Sequence, residues 1–197
     1  LMGEEKPQYN EDTTKVILDK IYNAKRPVIL AGTGIRLANG FEEFKKAVDK
    51  LKIPVVTAWN AHDVMEDDNP YYCGRPGTVG TRGGNFVVQE ADVLLVLGCR
   101  MNIRQISYNY KEWAKNAYKI VVEIDEAELN KPTVNVDMKV HADLLDVVKS
   151  INNSSYDILN PHNNNIIFDI SKEIRDKNPE STVYTNNIDG IPPNKKS

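Results

Sequence analysis

Short hydrophobic runs separated by amphipathic segments dominate the pattern of this chain. The four most prominent runs lie at residues 27–32, 53–58, 92–97 and 119–124. Each run is apolar over most of its length, as is typical of strands that are buried on both faces of a parallel sheet. Because helical patterns separate the runs, we predict an α/β fold with an open, doubly wound sheet.

The intervening segments predict helices, and two shorter segments predict further strands. A helix that ends near Asn23 is expected to begin at a cap formed by Asp12 or Thr13. Asp143 is expected to cap a last helix that runs to Ile151. Further helices are predicted at residues 41–51, 85–90 and 111–116, and a fifth and a sixth strand at 133–136 and 138–141.

Changes in composition divide the chain into a central domain and flanking segments. Residues 1–12 are mostly polar and are interpreted as a linker, whereas residues 13–151 carry the α/β pattern. Residues 152–165 are rich in Asn and Ser, which indicates a second linker. Residues 166–197 hold one more helical pattern and one more strand pattern, so we expect them to be the start of a following domain or a tail.

Charge and cysteine content narrow the class of protein. The chain has 25 basic and 28 acidic residues, a net charge of −3, and the basic residues are dispersed, which speaks against nucleic-acid binding. Cys73 and Cys99 are too few for a disulfide scaffold, and the three histidines lack metal-ligand spacing. No apolar run is long enough for a membrane span. We therefore expect a cytoplasmic protein with reduced thiols and no metal, membrane or nucleic acid bound to this chain.

A glycine-rich stretch, residues 71–85, interrupts the α/β pattern. This glycine loop, YYCGRPGTVGTRGGN, contains five glycines, two arginines and one proline. Glycine is favoured where the backbone turns sharply or approaches a ligand closely, and proline lacks an N–H group. The loop is therefore expected to be irregular and to lie close to a ligand or to another part of the backbone.

A second glycine motif, Gly32-Thr33-Gly34, follows the first predicted strand and precedes a helix. This is the position of loops whose backbone approaches a phosphate group. A dinucleotide fingerprint would have a third glycine at the position of Leu37, and an acidic residue where Trp59 follows the second strand. The motif thus allows two interpretations, a phosphate-binding loop or a tight turn between strand and helix.

Two further strand ends carry polar residues that suit a ligand. Gly98, Arg100 and Arg104 follow the third strand, where arginines can bind phosphate through paired hydrogen bonds or form structural ion pairs. Glu123 and Asp125 follow the fourth strand, where a carboxylate can accept hydrogen bonds from ribose hydroxyls or cap the next helix. Ligands bind at such carboxyl ends in open α/β sheets.

Several of these segments together resemble the central domain of thiamine-diphosphate-dependent enzymes of the acetolactate synthase type. The segments are RPVILAGTG, IPVVTAW, GRPGTVGTRGGNFVVQEADVLLVLGCRM and KIVVEIDEAEL with HADLLDVV, and they cover residues 13–151. The tail, IIFDISKEIRDKNPESTVYTNN, resembles the start of the diphosphate-binding domain that follows in that family. The positions that match the nucleotide-binding residues of the family are Gly32, Thr33, Gly34, Thr57, Gly74, Gly77, Gly80, Gly98, Arg100, Arg104, Glu123, Ile124, Asp125 and Asp143.

The resemblance implies a six-stranded, Rossmann-like sheet that holds FAD in an extended pose, ADP, or no nucleotide. The glycine loop would then lie along the flavin or the middle of the dinucleotide. The loop carries Arg75-Pro76 and Val79 where those synthases usually have Met, Leu and His. The resemblance also implies thiamine diphosphate and Mg²⁺ in flanking domains of a longer, homo-oligomeric enzyme that acts on 2-oxo acids, and it implies that this chain alone is inactive.

Three hypotheses about function follow. The chain is the central domain of such an enzyme, a free-standing nucleotide-binding module, or a structural spacer whose nucleotide site is vestigial. The sequence contains no Ser/His/Asp set, metal cluster or acid/base pair that is recognisable by spacing, so no catalytic residue is assigned.

Overall fold

The structure, a computed structural model, describes residues 6–155, which form one parallel sheet with helices on both faces. The strands are β1 (Pro27–Ala31), β2 (Val55–Thr57), β3 (Val93–Leu97), β4 (Tyr118–Glu123) and β5 (Met138–His141). The helices are α1 (Glu11–Asn23), α2 (Gly34–Leu37), α3 (Phe41–Leu51), α4 (Arg82–Glu90), α5 (Ile103–Ile106), α6 (Glu126–Asn130) and α7 (Leu144–Asn153), and a 3₁₀ helix spans Trp59–Val64.

The strand order is β2-β1-β3-β4-β5, with all neighbours parallel. The predicted α/β fold and its four main strands are therefore confirmed. β1 lies between β2 and β3, and the chain runs from β1 outward to β2 before it crosses back to β3. The order of strands thus reverses between β1 and β3, and in open α/β sheets this is the place where ligands bind.

Alternate residues of the strands face two separate cores. Val28 and Leu30 of β1 pack in the core that includes Val88 of α4. Their neighbours Ile29 and Ala31 pack in the other core with α1, α3 and α7, where the largest fully buried side chain is Phe44. Because both faces are covered, the central strands β1 and β3 are apolar at every position, which explains the continuous hydrophobic runs.

The predicted strand at residues 133–136 is wrong, and the described part of the sheet has five strands rather than six. Pro132 lacks an N–H group, and the segment that follows forms bends. Val134 is buried in the core beside α4 without pairing to a strand. The edge of β4 is already paired with β5, in a register that joins Ile120 to Met138. Val134 is therefore buried although its backbone belongs to a loop and not to a strand.

The predicted helix at residues 111–116 is also wrong, because this segment forms a series of turns. The cap of α1 is Asn10, whose side chain accepts a hydrogen bond from the N–H of Asp12, rather than Asp12 or Thr13. Helix α4 begins at Arg82, three residues before its predicted start. The predicted cap of α7 is confirmed, since Asp143 accepts a hydrogen bond from the N–H of Leu145. The patterns at 166–174 and 182–184 lie outside the described residues.

Candidate functional site

Two hollows lie side by side at the carboxyl edge of the sheet and share two residues, Thr33 and Arg100. Thr33 follows β1 and Arg100 follows β3, so the boundary between the hollows coincides with the place where the strand order reverses. Within residues 6–155, no helix is long and apolar enough to cross a lipid bilayer. The two hollows form one interrupted groove along the sheet edge.

The first, which we call the glycine-loop hollow, has a volume of about 320 Å³. Of the residues that the structure describes, Arg100 and Arg104 are the charged ones in its lining, and no carboxylate is among them. Trp59, 41% exposed, and Val79, 56% exposed, add apolar surface. This hollow is therefore cationic with apolar walls.

The second, which we call the β4 hollow, has a volume of about 630 Å³ and an acidic lining. Leu37 of α2 and Ile124, which follows β4, contribute exposed apolar side chains. Its charged lining residues are Lys6, Arg100, Glu123, Asp125, Glu128 and Asp143. The lining of the β4 hollow thus has four carboxylates and two cations and a net negative charge. The lining of the glycine-loop hollow has a net positive charge.

Gly32, Gly34 and Gly98 bring two loops into direct backbone contact. The N–H of Gly34 donates to the carbonyl of Gly98 at 3.0 Å. A Cβ atom added to Gly34 would lie 2.6 Å from the Cα of Gly98, and Gly98 itself has a φ of +58°. These glycines are therefore required by the packing of the β1 and β3 loops, which supports the tight-turn interpretation. The N–H of Gly34 is already used within the protein.

The glycine loop folds onto itself and onto α4. The Thr81 hydroxyl caps α4 by accepting from the N–H of Gly84, and it also accepts from the N–H of Arg75 at 3.1 Å. The side chain of Asn85 bonds both the N–H and the carbonyl of Gly77. A Cβ atom on Gly74, which has a φ of +100°, would lie 2.3 Å from the Thr81 hydroxyl. The glycines of this loop are thus needed for its own fold.

Arg100 is exposed and forms an ion pair in this structure. Its side chain is 68% exposed, and its Nε lies 3.5 Å from the carboxylate of Glu128. Lys131 contacts both Glu128 and the carbonyl oxygen of Arg100. An anion that binds Arg100 must therefore compete with Glu128.

The carboxylates after β4 have different environments. One oxygen of Glu123 accepts hydrogen bonds from the N–H groups of Ile124 and Asp125. Burial raises the pKa of Glu123 above its usual value, against the opposing effect of these hydrogen bonds. Asp125 caps α6 by accepting from Ala127, which confirms one of the two roles considered for it. Its capping bonds leave carboxylate oxygen lone pairs free to accept a ligand hydroxyl.

Most of the sequence-predicted site residues meet at these hollows. Gly32, Thr57 and Gly74 are buried and line neither hollow. The residues that do line them are Thr33, Gly34, Gly77, Gly80, Gly98, Arg100, Arg104, Glu123, Ile124, Asp125 and Asp143. Thr57 instead contacts the hydroxyl of Tyr72, with 3.3 Å between the two oxygens.

Sequence reasoning missed other residues that shape the hollows. Lys6 forms an ion pair with Asp143 at the mouth of the β4 hollow, although it lies in the predicted linker. Leu37, noted only as a substitution in a fingerprint, is 83% exposed and lines the same hollow. No local pattern marks Lys6, because its contact with Asp143 spans most of the chain.

The family model described as thiamine pyrophosphate enzyme, central domain, matches residues 14–151. The chain belongs to this family. Among the relatives of this thiamine pyrophosphate enzyme central domain, a probable acetolactate synthase large subunit from Methanococcus aeolicus is 35% identical over 182 residues, which are 90% of this chain and 30% of the relative.

Two further relatives are also described as acetolactate synthase large subunits. The match to a probable acetolactate synthase large subunit of Methanocaldococcus jannaschii has 34% identity and covers 66% of this chain and 22% of the relative. The match to the Escherichia coli acetolactate synthase isozyme 2 large subunit has 32% identity and covers 55% and 20%. The central domain thus corresponds to less than a third of each of these proteins.

Proposed function

We propose that this chain is the central domain of an acetolactate synthase-like enzyme that acts on 2-oxo acids. The proposal is supported by the family match and by the names of the relatives. Thiamine diphosphate and Mg²⁺ would be held by flanking domains of a homo-oligomeric, cytoplasmic protein, and the cofactor would supply the carbanion chemistry when bound. We expect no acetolactate formation by the chain alone. Its role would be to hold a nucleotide and to position the flanking domains.

We further propose that the groove binds an extended adenine nucleotide, ADP or FAD. The observation that carries this proposal is the opposite charge of the two hollows, which meet at Thr33 and Arg100. Arginine guanidinium groups suit phosphate oxygens, so the phosphates would lie toward Arg100 and Arg104. Carboxylates that accept hydrogen bonds suit ribose hydroxyls, so Glu123 and Asp125 would bind the ribose.

The shapes of the two hollows are consistent with the two parts of such a ligand. Leu37 and Ile124 give the β4 hollow apolar surface for an adenine ring. The glycine-loop hollow would take the second half of a dinucleotide, where Trp59 provides an aromatic wall. Volumes of about 320 and 630 Å³ lie within the range of small-molecule sites.

A structural spacer is the second candidate, and specific contacts favour it. The N–H of Gly34 is bonded to Gly98, and Arg100 is paired with Glu128. The glycines of the loop pack against protein backbone and side chains. A groove with these contacts can persist after nucleotide binding has been lost.

Calorimetric titration of ADP and of FAD separates the two candidates. If the groove binds a nucleotide, titration of the wild type should release or absorb heat that saturates, and the affinity should be lower for Arg100→Ala. The spacer predicts no heat with either nucleotide.

A further inference from the structure

Arg75 is a buried cation without an ionic partner in the described part of the chain. Arg75 is the fifth residue of the glycine loop and is 8% exposed. The Nε atom is fully enclosed and has no hydrogen-bond partner among residues 6–155. Within residues 6–155, none of the ion pairs includes Arg75.

The backbone at Arg75 is fixed by its neighbours. Its N–H donates to the Thr81 hydroxyl, and its carbonyl accepts from the N–H of Thr81 at 2.7 Å. A Cβ atom added to Gly84 would lie 2.6 Å from the carbonyl carbon of Arg75, so the helix α4 packs directly on this residue. The side chain is therefore directed by a rigid segment of the loop.

The environment of the guanidinium connects it to the glycine-loop hollow. Its carbon lies 5.9 Å from the centre of the Trp59 ring. Trp59 lines that hollow, and so does Pro76, which follows Arg75 in the chain, whereas Arg75 itself is not among the lining residues. Among the described residues, no acidic side chain lines the hollow, whereas Arg100 and Arg104 do. Arg75 adds a third positive charge beside the same space.

A guanidinium whose Nε is enclosed without a hydrogen-bond partner is unfavourable, since the lost hydration of that N–H is not replaced. An apolar side chain of similar length would fill this volume at a lower cost. A residue of this kind is expected where an anion from outside the domain completes the site.

We propose that Arg75 binds a phosphate group of the ligand that occupies the glycine-loop hollow, reached from the side of Trp59. This proposal rests on the nucleotide site proposed above, and it assigns to the glycine loop a charged contact with the ligand. A carboxylate from a flanking domain is the competing partner for the same guanidinium.

The first test uses the ligand-free chain and the variant Arg75→Met, which keeps much of the side-chain length and removes the charge. We expect its melting temperature to rise by roughly 2–8 °C, because an unpaired buried charge is replaced by an apolar group. The control is Arg82→Met, which removes an exposed arginine from the same segment and should change the melting temperature by less than about 2 °C. A lower melting temperature for Arg75→Met would overturn the proposal, because Arg75 would then have a stabilising partner within the protein.

The second test measures binding of inorganic pyrophosphate by calorimetry to the wild type and to the variants. We expect Arg75→Met to weaken binding by about tenfold or more, since a bond to a charged group is removed. Arg75→Lys keeps the charge without the planar fork and should bind with intermediate affinity. Binding by Arg82→Met should stay within about twofold of the wild type.

The outcomes also separate this proposal from the nucleotide function. Pyrophosphate binding that depends on Arg75, without binding of ADP or FAD, would support the anion site and contradict the nucleotide site. Equal pyrophosphate binding by wild type and Arg75→Met would overturn the role of Arg75, as would the absence of pyrophosphate binding by the wild type.

Discussion

Gly32 and Gly98 are in direct contact at the carboxyl edge of the sheet. A Cβ atom added to Gly32 would lie 2.1 Å from the carbonyl oxygen of Gly98. The N–H of Gly32 also donates to the carbonyl of Leu97. This contact joins the loops after β1 and β3, and it places Thr33 and Arg100 at the boundary between the two hollows.

Replacing Gly32 by alanine should destabilise the fold. Because the atoms in contact are backbone, the loops must move apart, and overpacking of this kind costs about 1–3 kcal/mol. The melting temperature is then expected to fall by roughly 2–12 °C. Thermal unfolding followed by circular dichroism measures the change.

Gly40→Ala is the matched control for this prediction. A Cβ atom on Gly40 would meet the end of the Leu144 side chain at 3.3 Å, and that side chain can adjust. We expect a much smaller loss of stability at Gly40. Equal losses at the two positions would contradict the proposed role of the Gly32–Gly98 contact.

Thr81→Ala should loosen the glycine loop and the start of α4. The Thr81 hydroxyl caps α4 and bonds the N–H of Arg75, so its removal should cost about 1–2 kcal/mol. Hydrogen exchange at the N–H groups of Arg75 and Gly84 should become faster. Thr81→Ser keeps the hydroxyl and should retain most of the protection, and a serine variant as unprotected as the alanine variant would argue against the hydrogen bonds.

Glu123 should make the stability of the domain depend on pH. Burial raises the folded-state pKa of this carboxyl above the reference value of 4.5, so the folded protein holds the proton more tightly than the unfolded chain does. The resulting stabilisation is complete below about pH 4.5 and is lost as the pH rises through the folded-state pKa. Glu123→Gln should therefore gain stability relative to the wild type between pH 4 and pH 7.

Denaturant unfolding of wild type and Glu123→Gln at several pH values tests this expectation. Glu42→Gln, at an exposed position of α3, is the control. It measures how the loss of one negative charge at the surface changes the free energy of unfolding. A difference between Glu123→Gln and the wild type that stays constant over this pH range, or changes no more than that of Glu42→Gln, would contradict the pH dependence.

The sequence predicts the sheet well because both faces of its strands are covered. Each of the four main runs is therefore apolar at most of its positions, and this signal lies within five or six consecutive residues. The wrong strand at residues 133–136 shows the limit of that signal. Val134 is apolar because it is buried, yet its backbone pairs with no strand.

The candidate site could be predicted only in part, because its geometry depends on contacts between distant residues. The strand ends at Gly98 and Glu123 are marked by their position after hydrophobic runs, and both line the β4 hollow. The pairing of Arg100 with Glu128 and of Lys6 with Asp143 depends on the tertiary fold. The glycine loop was expected to contact a ligand, whereas much of its glycine content is explained by contacts with Thr81, Arg75 and Arg104.

The most direct test of the central claim is the affinity of ADP for the wild type and for Arg100→Ala, measured by calorimetry. If the groove binds an adenine nucleotide, the wild type should bind ADP, and Arg100→Ala should bind it about tenfold to a hundredfold more weakly. We expect a factor nearer tenfold, because Arg100 is exposed and paired with Glu128. Arg82→Ala, at an exposed position outside both hollows, should bind like the wild type. Absence of binding to the wild type, of ADP and of FAD alike, in a protein that includes the flanking domains, would contradict the nucleotide site and favour the structural spacer.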